Sequence, residues 1–179
     1  MKDFVAIDSS TASMAFAHFK DYHLLQWGIL KFSGNGIYGK IPDIAAKTGT
    51  LFESFDTRSV VIESTFFSVN PKVTTDLALA QGAILGASGA DLIAGCPPIV
   101  WQKFVGNSPL TRKEKDDIQL DHPGKSKSWY KAQPRKIRKQ RTIDIVNKAY
   151  GLDVTDDNIA DAIGLGMYAN DNWSKLKWQ

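Results

Sequence analysis

The sequence predicts an α/β domain in which a mixed five-stranded sheet is flanked by helices. Short apolar runs suited to buried strands occur first as a group of three and then singly, between stretches with helical spacing. A strand meander followed by alternating helices and strands builds a mixed sheet that helices cover. A chain of 179 residues is most economically one domain, so we expect a single domain over 1–179.

The first half of the chain contains four of the predicted strands. Residues 3–8 are an apolar run that ends in a carboxylate, and the runs at 14–19 and 23–32 follow it with short polar turns between them. Residues 37–55 have helical spacing, and the strand at 59–63 again ends in a carboxylate. The first three runs therefore predict an antiparallel meander.

The second half predicts mainly helices. They cover 71–87, 99–105, 135–150 and 156–169, and one short strand covers 91–94. Gly95-Cys96-Pro97-Pro98 is expected to stop that strand. The stretch 107–134 is polar, charged and rich in Lys, Ser, Gly and Pro, so we expect a basic insertion that is mobile without its ligand.

The positive charge of the chain is concentrated in one segment. Residues 103–148 hold 13 Lys and Arg against 5 Asp and Glu, an excess of +8, whereas the remainder has 9 against 14, a balance of −5. A mildly acidic body with one basic segment indicates a protein that binds a polyanion. A basic loop in solvent without a ligand is the alternative.

Composition also limits the location of the protein. The single Cys96 excludes an internal disulfide and fits a reducing compartment. No run is long and apolar enough for a membrane span, and the chain enters a strand pattern without a secretory signal. We therefore expect a cytoplasmic protein that has no membrane partner.

Acidic residues occur where folding can bring them together. Asp8 and Glu63 each end a strand, and Asp161 lies among small and apolar residues of the last helix. Asn158 shares a stripe with Asp161, and Asp157 is spaced to lean toward the same place. Asp8 can also be an ordinary strand-end carboxylate. Asp156 and Asp157 can instead favour the helix N-terminus, with Thr155 as its cap.

Clustered carboxylates predict a site for hard divalent cations. Carboxylates at the edge of a core are costly to bury unpaired, and Mg²⁺ or Mn²⁺ takes oxygen ligands while keeping waters for a substrate phosphate. Two such ions can activate a water and stabilise the leaving oxygen of a phosphodiester. The histidines at 18, 23 and 122 are scattered, so the sequence offers no zinc site.

Four motifs in this order resemble RuvC Holliday junction resolvases, most of all the versions carried by bacteriophages. They are DSSTAS from Asp8, VIESTFFSVN from Val61, LAQG from Leu79 and ADAIGLG from Ala160. The resemblance implies the RNase H-like fold and a homodimer that nicks four-way DNA junctions with Mg²⁺ or Mn²⁺, two ions per active site. It implies that Asp8, Glu63 and Asp161 are catalytic metal ligands.

The resemblance also indicates residues beyond the three carboxylates. The family usually has Asp or His where this chain has Asn158, so either Asn158 through its carbonyl or the adjacent Asp157 is expected to complete the catalytic site. Phe66 matches an aromatic that contacts a base, although Phe66 or Phe67 can instead be a core residue. PIVWQK from Pro98 matches the segment in which Lys103 contacts a phosphate.

A basic helix is expected to bind the DNA backbone. Lys139-Gln140 matches the family, and helical spacing places Arg135, Arg138 and Lys139 on one side, with Arg141 nearby. Trp129 and Tyr130 either stack on unpaired bases or anchor the insertion. The helix over 71–87 is either a dimer interface or core.

The sequence leaves other functions open. A nuclease of the same fold could cut flaps, forks or RNA–DNA hybrids, and Asn158 also fits a junction-binding protein with weakened catalysis. Residues 7–11 further resemble the phosphate loop of actin-like ATPases, but 179 residues are too few for the two domains that such proteins need.

Overall fold

The computed structural model describes residues 2–64 and 70–179, which contain one five-stranded sheet. Its strands are β1 (Asp3–Ser9), β2 (Ser13–Lys20), β3 (His23–Lys31), β4 (Ser59–Glu63) and β5 (Leu92–Cys96), in the spatial order β3-β2-β1-β4-β5. The pairs β1–β2 and β2–β3 are antiparallel, whereas β1–β4 and β4–β5 are parallel. The predicted meander and the mixed sheet are confirmed.

Helices connect and follow the strands of the sheet. They are α1 (Gly36–Glu53), α2 (Pro71–Ser88), α3 (Pro98–Phe104), α4 (Arg112–Asp121), α5 (Lys127–Tyr150) and α6 (Asp157–Asp171), and a 3₁₀ turn (Trp173–Lys175) follows. None of the helices in the described ranges is both long and apolar enough to cross a membrane.

Both faces of the sheet are buried, and successive residues of a strand pack into different core clusters. Phe4 belongs to a core cluster that includes Ile163 of α6, whereas its neighbour Val5 belongs to a second cluster with Ile44 of α1 and Ile84 of α2. A strand that is covered on both sides has a continuous run of apolar residues in its sequence. This is why residues 3–8 show no alternation of apolar and polar residues. The central strand is therefore held rigidly up to its carboxyl end.

The parallel pairing of β1 and β4 sets the position of two acidic residues. Ile7 is the register partner of Ile62, so Asp8 and Glu63, each the next residue along its strand, emerge at the same edge of the sheet. Asp156 is the N-cap of α6, because its carboxylate accepts hydrogen bonds from the backbone N–H groups of Asn158 (2.9 Å) and Ile159 (3.2 Å). The alternative that gave the capping role to Thr155 was wrong.

Two glycines let α6 lie unusually close to its neighbours. A Cβ atom at Gly166 would stand 2.0 Å from Cε2 of Phe19 in β2, and one at Gly164 would stand 2.8 Å from Cζ3 of Trp101 in α3. Real Cβ atoms essentially never approach that closely. The glycines therefore fix how near α6, and with it Asp161, comes to the sheet.

No helix was predicted for residues 107–134, but most of this stretch is helical. The expected mobility of the insertion without a ligand stays a prediction. In α4 the Thr111 side chain accepts from the backbone N–H of Glu114, and the Glu114 carboxylate accepts in turn from the backbone N–H of Thr111. The hydroxyl of Ser126 caps α5, which starts eight residues before the predicted 135. These caps make helices from a segment whose polarity alone suggested a loop.

The end of β5 also differs from the sequence-based expectation. β5 was expected to stop before Gly95, but it continues to Cys96 because that residue pairs with Glu63 in the parallel ladder. α2 packs on the sheet through Ala80, Ile84 and Ser88. Its buried side is core, whereas the opposite side of the helix remains exposed.

Candidate active site

A cavity of about 820 Å³ opens at the sheet edge where β1 and β4 end. Asp8, Glu63 and Asp161 all line it, and Asn158 of α6 lines it beside them. The three predicted carboxylates are thus brought to one cavity by two parallel strands and a helix that packs against them. Asp157 is absent from the cavity wall.

Glu63 is held in place from two directions. Its Oε2 accepts a hydrogen bond from Nε1 of Trp101 at 2.8 Å, and Trp101 is completely buried in the core. Its backbone carbonyl accepts from Nε2 of Gln81 at 2.8 Å, and the same amide donates to Oγ of Ser9 at 3.2 Å. Glu63 therefore has little freedom to relax toward solvent.

All three carboxyl groups have raised pKa values. Burial raises the pKa of Glu63, with a further rise from the negative charge of Asp8, to about 8. Burial, followed by the charge of Asp8, raises the pKa of Asp161 to about 7, against the opposing charge of Lys139. The pKa of Asp8 itself is raised to about 6, mainly by burial. Burial therefore makes ionisation of the cluster harder, and the charge of Asp8 adds to this at Glu63 and Asp161.

The cluster has the donor chemistry of a divalent-cation site, although it is not a closed cage. Within 2–64 and 70–179, no three His, Cys, Asp or Glu side chains are arranged so that they could hold one metal ion. Mg²⁺ is usually bound through only one or two carboxylates, with waters and substrate phosphates as its other ligands. Buried carboxylates with raised pKa values, together with the neutral amide of Asn158, fit such an open site.

The cavity also has a basic wall, formed by α5. Arg135, Arg138 and Lys139 of α5 line it, as the helical spacing predicted, and Lys131 and Lys115 extend it. Nε of Arg138 is buried and has no hydrogen-bond partner within the described part of the chain. The same cavity thus holds both cations and carboxylates, a combination suited to a phosphate.

Lys139 of the basic helix interacts with several acidic residues of the site. It forms an ion pair with Asp157 and lowers the pKa values of Asp8 and Asp161 through its charge. Asp157 is therefore paired with Lys139, and Asn158 is the one of these two neighbours that lines the cavity with the carboxylates.

Two of the predicted DNA contacts, Lys103 and Arg141, do not line this cavity. Lys103 is exposed at the end of α3, and Arg141 forms an ion pair with Glu114 of α4 instead of lining the cavity. Phe66 lies outside the described residues, so its predicted contact with a base stays a prediction.

Several residues of the site were not found from the sequence. Trp101 is 38 positions away from Glu63, and no local pattern links the two. Gln81 was noted only within a motif, and Lys115 and Lys131 were counted only as part of the basic segment. The capping box that begins at Thr111 was the signal that could have placed Lys115 on an ordered helix.

The fold is shared with solved resolvase structures, although the sequences are distant. No protein-family model and no curated protein matches the chain. A Thermus thermophilus RuvC in complex with a Holliday junction substrate is similar at a TM-score of 0.69, with 15% identity over 100% of both chains. Another structure of Thermus thermophilus RuvC has a TM-score of 0.66 and 16% identity, over 99% of this chain and 100% of that one. The predicted RNase H-like fold of the RuvC type is therefore confirmed.

Proposed function

We propose that this chain is a metal-dependent endonuclease that cleaves phosphodiesters in four-way DNA junctions. The observation that carries the proposal is the single cavity lined both by Asp8, Glu63 and Asp161 and by the row of cations on α5. A phosphodiester in this cavity would meet the proposed metal ligands and the phosphate contacts together. The likeness to a RuvC bound to a Holliday junction supports branched DNA as the substrate class.

Asp8, Glu63, Asp161 and Asn158 are the residues that we propose to hold Mg²⁺, with Mn²⁺ as a substitute, two ions per site. When bound, such ions supply a water that ionises near neutral pH and stabilise charge on the leaving oxygen. Trp101 orients Glu63 by its hydrogen bond, and Gln81 fixes the backbone at the end of β4. Arg138 and Lys139 neutralise the phosphate and keep it in the cavity.

We further propose a homodimer of single-domain chains that acts in the cytoplasm. A four-way junction has two equivalent strands to cut, so paired symmetric nicks need two copies of the site. The exposed side of α2 carries Ala78, Gly82 and Gly86, which would allow another helix to approach closely. This face is our candidate for the contact between copies.

The test is cleavage of a synthetic four-way junction with and without a divalent metal. We expect symmetric nicks with Mg²⁺ or Mn²⁺ and none in a chelator. Asp8→Asn and Glu63→Gln should abolish cutting while junction binding persists, because they remove metal ligands and leave the basic wall intact. Cleavage that survives both substitutions would refute the mechanism.

A panel of substrates separates the proposal from its alternatives. Flaps, forks and RNA–DNA hybrids cut as fast as the junction, without paired nicks, would indicate a nuclease of relaxed specificity. Tight junction binding without any cutting in Mg²⁺ or Mn²⁺ would indicate a binding protein in which Asn158 has weakened the metal site.

A further inference from the structure

A second cavity, of about 320 Å³, opens between α4 and the first turns of α5. We call it the side cavity, and its lining residues are Lys115, Ile118, Gln119, Tyr130, Lys131 and Pro134. Lys115, Lys131 and Pro134 also line the large cavity that contains the carboxylates. The two cavities are therefore neighbours, with two lysines at their boundary.

The lining of the side cavity combines three kinds of chemistry. The ammonium groups of Lys115 and Lys131 favour an anion at the boundary. The apolar surfaces of Ile118 and Pro134 and the ring of Tyr130 favour a flat, poorly hydrated group. A nucleotide carries both properties, because its phosphate is an anion and its base has faces that stack on aromatic rings.

The ring of Tyr130 is held where it is by its own hydroxyl. That hydroxyl donates to the backbone carbonyl of His122 and accepts from the backbone N–H of Lys125 at 3.3 Å. Trp129 packs against the ring edge-to-face, with centroids 5.2 Å apart. The aromatic wall thus exists before any ligand arrives, so binding does not have to order it.

The segment formed by α4 and the first turns of α5, which we call the arm, is also tied to the main domain. Arg141, in the middle of α5, forms an ion pair with Glu114 of α4. Glu114 is at the same time the partner of Thr111 in the capping box. One carboxylate therefore links the start of α4 to the helix that supplies the basic wall.

We propose that the side cavity binds one unpaired nucleotide of the DNA next to the bond that is cut, with its phosphate at Lys115 and Lys131 and its base against Tyr130. The identity of the ligand as DNA rests on the proposed function. The ring of Tyr130 both anchors the arm and stacks on the base, so the two roles considered for it are compatible.

The first experiment measures binding of a labelled single-stranded oligonucleotide of about 8 nucleotides in a chelator, so that cutting plays no part. Lys115→Ala with Lys131→Ala is compared with Lys113→Ala with Lys127→Ala. The control lysines lie on the same two helices, outside both cavities. We expect the first pair to weaken binding on the order of ten-fold and to lower the salt slope by about 0.7, the value for one phosphate of a single strand, and the control pair to do neither. Equal losses in both pairs would overturn the proposal.

The second experiment addresses the base. Tyr130→Phe keeps the ring but loses its hydroxyl anchor, so it should bind the oligonucleotide only slightly more weakly than the wild type, whereas Tyr130→Ala should bind on the order of ten-fold more weakly. Because Tyr130→Ala also removes an anchor of the arm, photocrosslinking of a 5-iododeoxyuridine oligonucleotide to the wild-type protein serves as an independent readout. We expect the crosslink on Tyr130, and its absence at every position of the label would contradict base binding there.

These measurements separate the inference from the proposed function. If the protein cuts junctions but the two lysine variants bind the oligonucleotide equally well, the proposed function holds and the nucleotide site is refuted. If the oligonucleotide binds through Lys115 and Lys131 but the protein never cuts a junction, the nucleotide site holds and the proposed function is refuted.

Discussion

The pKa values of carboxyl groups are shifted in opposite directions in two regions of the molecule, the sheet edge and the arm. At the sheet edge, the pKa values of Asp8, Glu63 and Asp161 are raised to about 6, 8 and 7, mainly because each carboxyl group is buried and, for Glu63 and Asp161, also because of the charge of Asp8. In the arm, hydrogen bonds from Thr111, followed by Arg141, lower the pKa of Glu114 to about 2. Donors around Glu114 favour its charged form, whereas burial disfavours the charged form at the sheet edge even where a donor such as Trp101 is present.

The comparison predicts its largest effect for Asp161→Asn. Cleavage of the junction should fall by more than the roughly 10- to 100-fold that loss of an outer-shell partner costs a metal site, because this substitution removes a proposed metal ligand. Single-turnover cleavage in Mg²⁺ measures the effect, and junction binding in a chelator is the control. Binding that falls together with cleavage would mean that Asp161 acts on DNA affinity or on the fold.

The second prediction concerns the metal-free stability of Glu63→Gln. Burial raises the pKa of Glu63 in the folded protein from the ordinary value of 4.5 to about 8, so its ionisation opposes folding. The wild-type free energy of unfolding should fall as the pH rises from about 4.5 through about 8, and at higher pH the variant should be more stable by on the order of 5 kcal/mol. The amide oxygen of the introduced glutamine can still accept from Trp101.

Urea unfolding in a chelator at about pH 5 and about pH 9 measures this difference. The gap between the variant and the wild type should be small at the lower pH and should open at the higher one. Added Mg²⁺ should narrow it by stabilising the wild type alone. A gap that is equal at both pH values would show that the carboxylate of Glu63 is already compensated in the folded protein.

The third prediction separates positioning from ligation. Trp101→Phe removes the indole donor to Glu63 and keeps an aromatic ring in the core. We expect a loss of cleavage of roughly ten-fold, the range typical for partners that orient metal ligands, with unchanged affinity for the junction. The Mg²⁺ concentration for half-maximal cleavage should rise as well, which a purely structural defect would not produce.

The smallest effect is expected in the arm, for Glu114→Gln. The contribution of a carboxylate with a lowered pKa is present above about pH 4.5 and is lost as the pH falls through about 2. At neutral pH we expect faster amide hydrogen exchange in α4, with exchange in β1 unchanged. Faster exchange in β1 as well would mean that the arm and the sheet unfold as one unit.

The sequence identified the carboxylate wall because that wall follows from local rules. Asp8 and Glu63 each end an apolar run, and parallel strands bring such ends to one edge. The basic row likewise follows from helical spacing within α5. These parts of the site were predictable without any knowledge of long-range contacts.

The parts that were missed depend on contacts between distant segments. The helices of the insertion are stabilised by the cap at Thr111 and by the ion pair of Glu114 with Arg141, which lies 27 residues further along the chain. Neither interaction can be inferred from the high average polarity of the segment. The last residues of β5 are a strand only because β4 lies beside them, although Gly95 and the prolines that follow suggest a turn. Side-chain neighbours such as Trp101 and Glu63 require the folded chain.

The two glycines of α6 restrict which substitutions this protein can accept during evolution. Neither Gly164 nor Gly166 has a side chain with which to touch DNA, yet a methyl group at either one would collide with an aromatic ring behind the helix. Related proteins that keep the activity are therefore expected to retain glycine at 166, or to replace Phe19 with something smaller in the same lineage. Covariation of these two positions would trace the spacing between helix and sheet through evolution.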